Sequence, residues 1–231
     1  MKIGIIGAME VEVEILKQNM EITNTVKKAS MEFVEGKIGN ADVVVVRSGV
    51  CKVNAGICVQ ILVDTFGVTH VINSGAAGSL DARINIGDIV LSTDAIYHDV
   101  DATLFGYQKG EVPQLGVVSF TADEKMRAKA KAAIEKAVTD QQVFEGRVCS
   151  GDQFISSKEV KDAIKSNFGG ECVEMEGAGI AQACHLNNVP FLIIRAISDK
   201  ADGSEMKDYI DFENKAARDC AAATFELLRS L

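Results

Sequence analysis

Carboxylate residues follow three apolar stretches of this 231-residue chain, at positions where acid–base chemistry is possible. Glu174 and Glu176 stand where an apolar stretch gives way to a helical pattern, and Asp199 follows the apolar run of residues 191–197. A third acidic group, after the first apolar run, consists of Glu10, Glu12 and Glu14. Because open α/β sheets bind ligands at the carboxyl ends of their strands, these positions predict acid–base chemistry on a small neutral substrate.

The run that precedes Asp199 also contains an arginine. A guanidinium group at Arg195, inside an apolar strand pattern, requires a carboxylate partner. Asp199 is the best single candidate for a general acid. An aspartate keeps its proton near neutral pH only when it is buried or lies beside another carboxylate, so we expect one of these environments around it.

Favourable charge at helix N-termini is the competing explanation for the glutamates. It accounts well for Glu10 and Glu14 and less well for Glu12, which therefore stays a candidate for chemistry. Residues two apart do not share a helix face. We therefore expect only one of Glu174 and Glu176 to point into a site.

Short apolar runs rich in Val and Ile alternate with amphipathic segments along the chain. The runs predict strands buried on both faces, and they are Ile3–Met9, Val43–Val46, His70–Asn73, Asp88–Leu91, Arg147–Ser150 and Phe191–Ile197. The amphipathic segments predict helices over Glu10–Met20, Lys52–Phe66, Ala122–Val138, Ser157–Phe168, Glu176–Asn187 and Phe212–Leu231. This order predicts a three-layer α/β fold in which helices flank a central mixed β-sheet.

Two connecting segments have recognisable patterns. A polar–apolar alternation near Ser30–Gly39 predicts a hairpin that leads into the next strand. A loop from about Asp94 to Thr121 is long for a compact domain, and such loops usually line a site or an interface. No linker interrupts the pattern, so we expect residues 1–231 to form a single domain.

Composition excludes several classes of partner. The net charge of -9 argues against binding to nucleic acid or to anionic membranes. The six cysteines form no C-x-x-C pair, which is typical of reduced, mostly buried thiols in a cytoplasmic protein. The three histidines lack the spacing of a zinc site, so we expect no metal. No apolar run reaches the roughly 18 residues that span a bilayer.

Two glycine-containing segments could approach a ligand. The first, Gly4 to Gly7, lacks the full dinucleotide fingerprint, and the acidic residues that follow it would repel a pyrophosphate. The second, Ser74 to Gly78, could bring the backbone close to a ligand or could form only a tight turn. It contains no lysine or arginine, so it is poorly suited to phosphate. Phe154, after another strand, could stack on a flat ring or pack in the core.

Taken together, these segments resemble the 5′-methylthioadenosine/S-adenosylhomocysteine nucleosidases of the nucleoside phosphorylase superfamily. The similarity covers nearly the whole chain, and the order and spacing of its motifs are highly specific. The motifs are Gly4-Ile5-Ile6-Gly7-Ala8-Met9-Glu10, Ser48-Gly49-Val50-Cys51-Lys52-Val53-Asn54, Ser74 to Gly78, Tyr97-His98-Asp99-Val100-Asp101, Phe105-Gly106-Tyr107, Ser150-Gly151-Asp152, Val173-Glu174-Met175-Glu176 and Arg195-Ala196-Ile197-Ser198-Asp199.

The resemblance implies hydrolysis of the N-glycosidic bond between adenine and a 5′-thio-substituted ribose, with no cofactor. The residue matching Asp199 protonates adenine at N7, and Ser198 is expected to orient it. The residue matching Glu12 takes a proton from the attacking water. Glu176 is expected to bind the ribose hydroxyls, and Arg195 to pair with the carboxylates and help place the water.

The resemblance also implies the rest of the substrate pocket. Phe154 and Ile155 are expected at adenine, Met175 at the ribose, and Met9, Val50 and Tyr209 around the ribose and thioether. The further expected binding residues are Ala76, Ala77, Gly78 and Glu174. The family inserts residues from the partner subunit of a homodimer, and the matching positions are Phe105, Tyr107 and Pro113. We therefore expect a homodimer that acts on a small adenine nucleoside.

Two positions depart from the common family pattern. Ala76 stands where many members have a serine whose hydroxyl helps hold the water, so the water must depend more on Glu12 and Arg195. Tyr209 replaces a frequent phenylalanine and adds a hydroxyl near the ribose or the 5′ pocket.

Three alternatives remain open at this stage. A nucleoside phosphorylase would need cationic and hydroxyl groups around phosphate, where this chain has Asn73 and Ala76. A nucleosidase for an aminodeoxyfutalosine-type substrate would share the catalytic residues and differ only in the 5′ pocket. A non-catalytic nucleoside-binding protein would lack the acid or the base, whereas this chain has both Asp199 and Glu12.

Overall fold

The computed structural model describes residues 1–137, 141–200 and 205–231. Its strands are β1 (Lys2–Gly7), β2 (Glu21–Lys28), β3 (Met31–Ile38), β4 (Ala41–Arg47), β5 (His70–Ser79), β6 (Ile89–Tyr97), β7 (Phe120–Thr121), β8 (Val143–Ser150), β9 (Cys172–Glu174) and β10 (Phe191–Asp199). Its α-helices are α1 (Glu14–Gln18), α2 (Lys52–Phe66), α3 (Glu124–Ala137), α4 (Lys158–Phe168), α5 (Gly177–Asn187) and α6 (Glu205–Arg229). Short 3₁₀ helices cover Glu10–Glu12 and Thr103–Phe105.

The strands form one mixed sheet that closes on itself at one end. From the open edge, β2, β3 and β4 pair antiparallel, and β4, β1 and β5 pair parallel. Beyond the part bound to β1, β5 pairs with β9, while its other edge pairs with β10. Because β10 also pairs with β6, β6 with β8 and β8 with β9, five strands form a closed ring. The predicted α/β class with a mixed sheet is confirmed.

Helices cover both faces of the sheet, as the sequence predicts. One apolar core lies between the sheet and helices α2 and α5, and it includes Leu62 and Ile180. A second core lies on the opposite face against α3 and α6, and it includes Ile134 and Leu227. The strands between them are buried on both sides, which is why β4 contains the unbroken run Val43–Val46.

Two differences from the prediction lie near the N-terminus. The expected helix Glu10–Met20 is divided by Val13 into the 3₁₀ helix Glu10–Glu12 and α1. This break turns the Glu12 side chain inwards, where its carboxylate accepts backbone hydrogen bonds. Strand β2 was not predicted, because it is an almost wholly exposed edge strand of polar residues and has no apolar run. The hairpin near Ser30–Gly39 is confirmed as β3 and its turn into β4.

The remaining differences are two short strands that were not predicted, β7 and β9, and the ends of several elements. The loop predicted from about Asp94 is shorter, because β6 continues to Tyr97 and β7 pairs with it near the loop's other end. Helix α6 begins at Glu205, earlier than the predicted Phe212. Val138, the predicted end of α3, lies outside the described residues. No helix in the described part of the chain has both the length and the apolar character needed to cross a membrane.

Candidate active site

An open cavity with an empty volume of about 490 Å³ lies where β1, β9 and β10 end, beside the second half of β5. It is lined by Ala8, Met9, Glu12, Val50, Ala76, Ala77, Gly78, Phe154, Val173, Glu174, Met175, Glu176, Ser198 and Asp199. The three predicted acidic groups therefore each contribute a carboxylate to one cavity, although they are far apart in the chain.

Glu12 is the only buried member of the first acidic group. Its Oε2 accepts a hydrogen bond from the backbone N–H of Met9 at 2.9 Å, and its Oε1 accepts one from that of Ala76 at 3.1 Å. Burial raises the pKa of Glu12, while Arg195 and these backbone donors partly oppose the shift. Glu10 and Glu14 are exposed, which agrees with their interpretation as surface charges.

Asp199 is buried at the end of β10 and is held from two sides. Its Oδ1 accepts a hydrogen bond from the Ser198 hydroxyl at 3.0 Å, and its Oδ2 accepts one from the Lys161 ammonium at 2.6 Å. The carboxyl group also lies against Gly78, where an added Cβ would be 2.8 Å from Oδ2. The expected burial is observed, but the charged neighbour in contact with Asp199 is an ammonium and not a carboxylate.

Arg195 is completely buried and has the carboxylate partners that its position requires. Its Nη2 forms an ion pair with Glu174, lies 3.6 Å from Oε2 of Glu176, and donates to Oδ1 of Asn73 at 2.5 Å. Burial lowers the pKa of Arg195, but three carboxylates, Glu174 first among them, raise it further than burial lowers it. Arg195 therefore remains a cation inside the protein and does not itself line the cavity.

We expected only one of Glu174 and Glu176 to point into the site; both residues line the cavity, but the Glu174 carboxylate is bonded to protein groups. The rule about helix faces does not apply here, since Glu174 ends β9 and Glu176 only precedes α5. Glu174 accepts hydrogen bonds from the backbone N–H of Gly177 at 2.8 Å and from the Ser150 hydroxyl. It thus satisfies backbone donors at the N-terminus of α5.

The carboxyl group of Glu176 is buried beside a second carboxylate, that of Glu174. Its Oε1 accepts a hydrogen bond from the backbone N–H of Cys51 at 2.9 Å. Burial, followed by repulsion from Glu174, raises the pKa of Glu176 to about 7, while Arg195 opposes the shift. Glu176 therefore changes its charge near neutral pH.

The other predicted site residues fall into three groups. Met9, Val50, Ala76, Ala77, Gly78, Phe154 and Met175 line the cavity with Ser198. Phe154 is 45% exposed, so packing in the core is the wrong explanation for it, whereas Ile155 is buried beneath the cavity wall. The side chain of Tyr209 lies outside the described part of the structure. Phe105, Tyr107 and Pro113 lie on the loop after β6 and are not among the residues that line the cavity.

Several residues that hold the site were not predicted from the sequence. Lys161 contacts Asp199, Ser150 contacts Glu174, and Asn73 contacts Arg195. One signal was available for Lys161, because it is spaced three and seven residues before Ile164 and Phe168, on the buried face of α4. A lysine at a core position of an amphipathic helix indicates a buried acidic partner.

Comparisons with known proteins place the chain in a family. The model of the phosphorylase superfamily matches residues 2–229. The 5′-methylthioadenosine/S-adenosylhomocysteine nucleosidase of Staphylococcus carnosus is 40% identical over 230 residues, which cover 99% of this chain and 100% of the relative. The corresponding protein of Shewanella denitrificans is 41% identical over 232 residues, with 100% of both chains covered. The chain belongs to the 5′-methylthioadenosine/S-adenosylhomocysteine nucleosidases.

Solved structures agree with this nucleosidase family, whose members are N-glycosyl hydrolases. The Neisseria meningitidis nucleosidase in complex with methylthio-immucillin-A is 38% identical, with a TM-score of 0.95 over 100% of this chain and 99% of that one. A futalosine hydrolase of Helicobacter pylori is 32% identical, with a TM-score of 0.93 over 100% and 98%. The family predicted from the sequence and its enzymatic class are thus confirmed.

Proposed function

We propose that this nucleosidase hydrolyses the N-glycosidic bond of 5′-methylthioadenosine and S-adenosylhomocysteine, and also that of 5′-deoxyadenosine. The observation that carries this proposal is the presence of two carboxyl groups in one cavity: Glu12, in the 3₁₀ helix after β1, and Asp199, at the end of β10. Glycoside cleavage through an oxocarbenium-like transition state uses one acid and one base. The names of the relatives support the adenine nucleoside as the substrate class.

Glu12 is the proposed general base for the attacking water. Burial raises the pKa of Glu12, which makes its carboxylate a stronger base toward the proton of the attacking water. The backbone donors of Met9 and Ala76 fix both oxygens, so the group is already oriented before substrate binds. Arg195 is the proposed source of positive charge that keeps the carboxylates around the water in place.

Asp199 is the proposed general acid, which gives a proton to N7 of adenine so that the base leaves as a neutral molecule. Ser198 supports this role because its hydroxyl donates to Oδ1 of Asp199. Phe154, which is partly exposed at the cavity, is suited to stacking on the purine ring, with the Ile155 backbone beside it. General acid and general base catalysis each contribute about 10²- to 10⁴-fold to the rate.

Glu176 is the proposed ligand of the ribose hydroxyls, and it also stabilises positive charge that develops on the sugar. Met175 lies next to it on the cavity wall, and Met9 and Val50 supply an apolar surface for the 5′ substituent. We assign Tyr209 to this end of the substrate as well. An apolar 5′ pocket favours a thioether over a charged substituent.

We further propose that residues 1–231 act as one domain in a cytoplasmic homodimer. Phe105 is 84% exposed in the single chain, and exposed aromatic side chains are often part of an interface. Insertion of Phe105, Tyr107 and Pro113 into the partner's cavity would close the 5′ end of the site. The six free thiols support a reducing compartment.

One other reaction, phosphorolysis, and one other substrate, a futalosine-type nucleoside, are the alternatives to this proposal. Phosphorolysis is disfavoured because no lysine or arginine lines the cavity among the residues that the structure describes, and Glu12 would repel phosphate. A futalosine-type nucleoside is the stronger alternative, since a relative of that name shares the fold and 32% of the sequence. It would use the same acid and base.

The experiment is adenine release from methylthioadenosine in phosphate-free buffer, with the sugar product identified by chromatography. Adenine with free 5-methylthioribose supports the proposal. Release only after phosphate addition, with a sugar 1-phosphate as product, would instead establish a phosphorylase. A parallel assay with a futalosine-type substrate, compared by kcat/KM, decides between the two hydrolase substrates.

A further inference from the structure

Lys161 is a buried cation that the proposed reaction does not yet use. Its side chain has no exposed surface, and its Nζ lies 2.6 Å from Oδ2 of Asp199. The same Nζ donates to the backbone carbonyl of Lys200 at 2.8 Å, directly after β10. A buried ammonium is unfavourable unless it is paired and hydrogen-bonded, and the carboxylate form of Asp199 and the carbonyl of Lys200 supply both conditions.

The position of Lys161 on α4 differs from that of the other lysines of this helix. Lys158 is exposed and pairs with Asp162 one turn later, at 2.7 Å. Lys165 is partly exposed and bonds to the carbonyl of Gly170. A lysine on a helix surface normally extends to keep its ammonium in water, whereas Lys161 directs it into the protein. The buried face of α4 thus delivers one positive charge to the cavity wall.

Three elements therefore fix the carboxyl group of Asp199. Lys161 holds Oδ2 from α4, the Ser198 hydroxyl holds Oδ1 from β10, and the backbone at Gly78 on β5 packs against the carboxyl plane. Of these contacts, only Lys161 carries a charge. Its removal would change the electrostatics of the acid and not only its orientation.

We infer that Lys161 is a positioning residue for the general acid: its ammonium orients Asp199 and stabilises the carboxylate that forms when Asp199 gives up its proton. This inference rests on the proposed nucleosidase function. The proton passes from the carboxyl group of Asp199 to N7 of the base, and the electron pair of the breaking N-glycosidic bond moves to the base. Lys161 keeps its own protons throughout, so the step needs no further reagent.

The test compares Lys161→Met with the wild type on two substrates. Methylthioadenosine has a basic leaving group that needs a proton, whereas a 5-methylthioriboside of 4-nitrophenol has a leaving group that departs without one. We expect kcat for methylthioadenosine to fall about 10²-fold, with KM changed by less than about threefold. We expect the nitrophenyl substrate to lose less than about threefold. Equal losses on both substrates, or no loss on methylthioadenosine, would overturn the inference.

Further variants keep the test decisive. Lys161→Arg preserves the charge, and we expect it to recover at least about tenfold of the loss in kcat seen with methionine. If Lys161→Met does not fold, the same comparison between Lys161→Arg and Lys161→Gln applies. If wild-type enzyme does not cleave the nitrophenyl substrate, the arginine rescue decides: equal kcat for arginine and methionine variants overturns the inference. Lys158→Met, on the exposed face of α4, is the matched control and should keep wild-type kcat.

The two proposals can fail separately. If the wild type releases no adenine from methylthioadenosine without phosphate, the proposed function is wrong, and the inference about Lys161 is wrong with it. If the wild type is active and Asp199→Asn is inactive, but Lys161→Met retains full kcat, only the inference about Lys161 is wrong.

Discussion

The carboxylates of the cavity differ in the groups that hold them. Glu12 accepts hydrogen bonds from backbone amides, whereas Asp199 accepts them from a hydroxyl and an ammonium. Glu174 is tied to Arg195 and to the N-terminus of α5, so its lone pairs are occupied within the protein. Glu176 keeps the weaker contact with Arg195, at 3.6 Å. These differences support separate roles for chemically identical groups.

Removal of either proposed proton-transfer group should nearly abolish turnover. We expect Glu12→Gln and Asp199→Asn each to lower kcat by at least about 10²-fold, because each removes one proton transfer. Circular dichroism and thermal unfolding should show a folded protein in both cases. Glu14→Gln, on the exposed side of the same segment, is the control and should keep wild-type kcat. An adenine-release assay decides, and an active Asp199→Asn would remove the acid role from that residue.

Glu176 should make the stability of the protein depend on pH. Its pKa is raised from 4.5 to about 7, so the folded state binds a proton that the unfolded state has already lost in this interval. Its contribution to stability is complete below the unfolded value and is lost as pH rises through about 7. From about pH 5 to about pH 8, the free energy of unfolding of wild type should fall by about 2–3 kcal/mol relative to Glu176→Gln.

Urea unfolding of both proteins at the two pH values measures this difference. Glu14→Gln controls for the chemical change from carboxylate to amide at an exposed position. If the difference in the free energy of unfolding between wild type and Glu176→Gln is the same at both pH values, folding does not raise the pKa of Glu176.

At the scale of elements, Gly75 of β5 lies against both Glu12 and Arg195, where there is no room for a side chain. A Cβ at Gly75 would lie 2.1 Å from Nη1 of Arg195 and 2.5 Å from Oε1 of Glu12. We expect Gly75→Ala to lower kcat/KM by about 10²-fold, since small displacements of catalytic groups cost this much. We also expect a loss of about 1–3 kcal/mol in the free energy of unfolding from overpacking.

The adjacent position on β5 provides the matched control. Ala76 is partly exposed and lines the cavity, so Ala76→Ser adds a hydroxyl where there is room for one. We expect this variant to keep wild-type stability and to keep or raise kcat, because the hydroxyl can help hold the water near Glu12. Steady-state kinetics and thermal unfolding of both variants check the prediction. An unaffected Gly75→Ala would contradict the close packing at this point.

The strands that were easiest to predict from the sequence are the long ones whose residues are buried on both faces. Strand β10 was recognisable because every residue from Phe191 to Asp199 is buried, which favours the apolar residues that fill it on either side of Arg195. Strand β2 could not be recognised, since its residues are mostly exposed and its stability comes from pairing with β3. The hydrophobic pattern of a sequence therefore predicts buried strands, and it misses an exposed strand that is stabilised by pairing with a neighbouring strand.

The same reasoning explains which site residues were predicted. Arg195 stood out because a charge within an apolar run has few explanations. Lys161 was missed, because the helix around it has many charges, which obscure its helical spacing with the buried Ile164 and Phe168. The contact between Lys161 and Asp199 joins residues 38 positions apart in the chain, and no local spacing indicates it.

At the scale of the whole molecule, we predict that the active form is a dimer. Leu104 and Phe105 are 97% and 84% exposed on the single chain. We expect Phe105→Ala to raise KM for methylthioadenosine about tenfold, because loss of a buried aromatic at an interface costs on the order of 1–2 kcal/mol or more. Sedimentation should show a dimer for wild type. Ile22→Ala, at an exposed apolar residue on edge strand β2, is the control; a fully active monomer would refute the shared site.

The closed ring of strands limits how early the sheet can be completed while the chain is being synthesised. Strand β10 lies between β5 and β6, which are neighbours in sequence but are separated by it in the sheet. A growing chain therefore leaves an open slot between β5 and β6 until residues 191–199 have been synthesised. Contacts of such long sequence separation form late and slowly. Because the same strand carries Arg195 and Asp199, closure of the ring and completion of the candidate site both depend on this segment, and a chain that ends before it has neither.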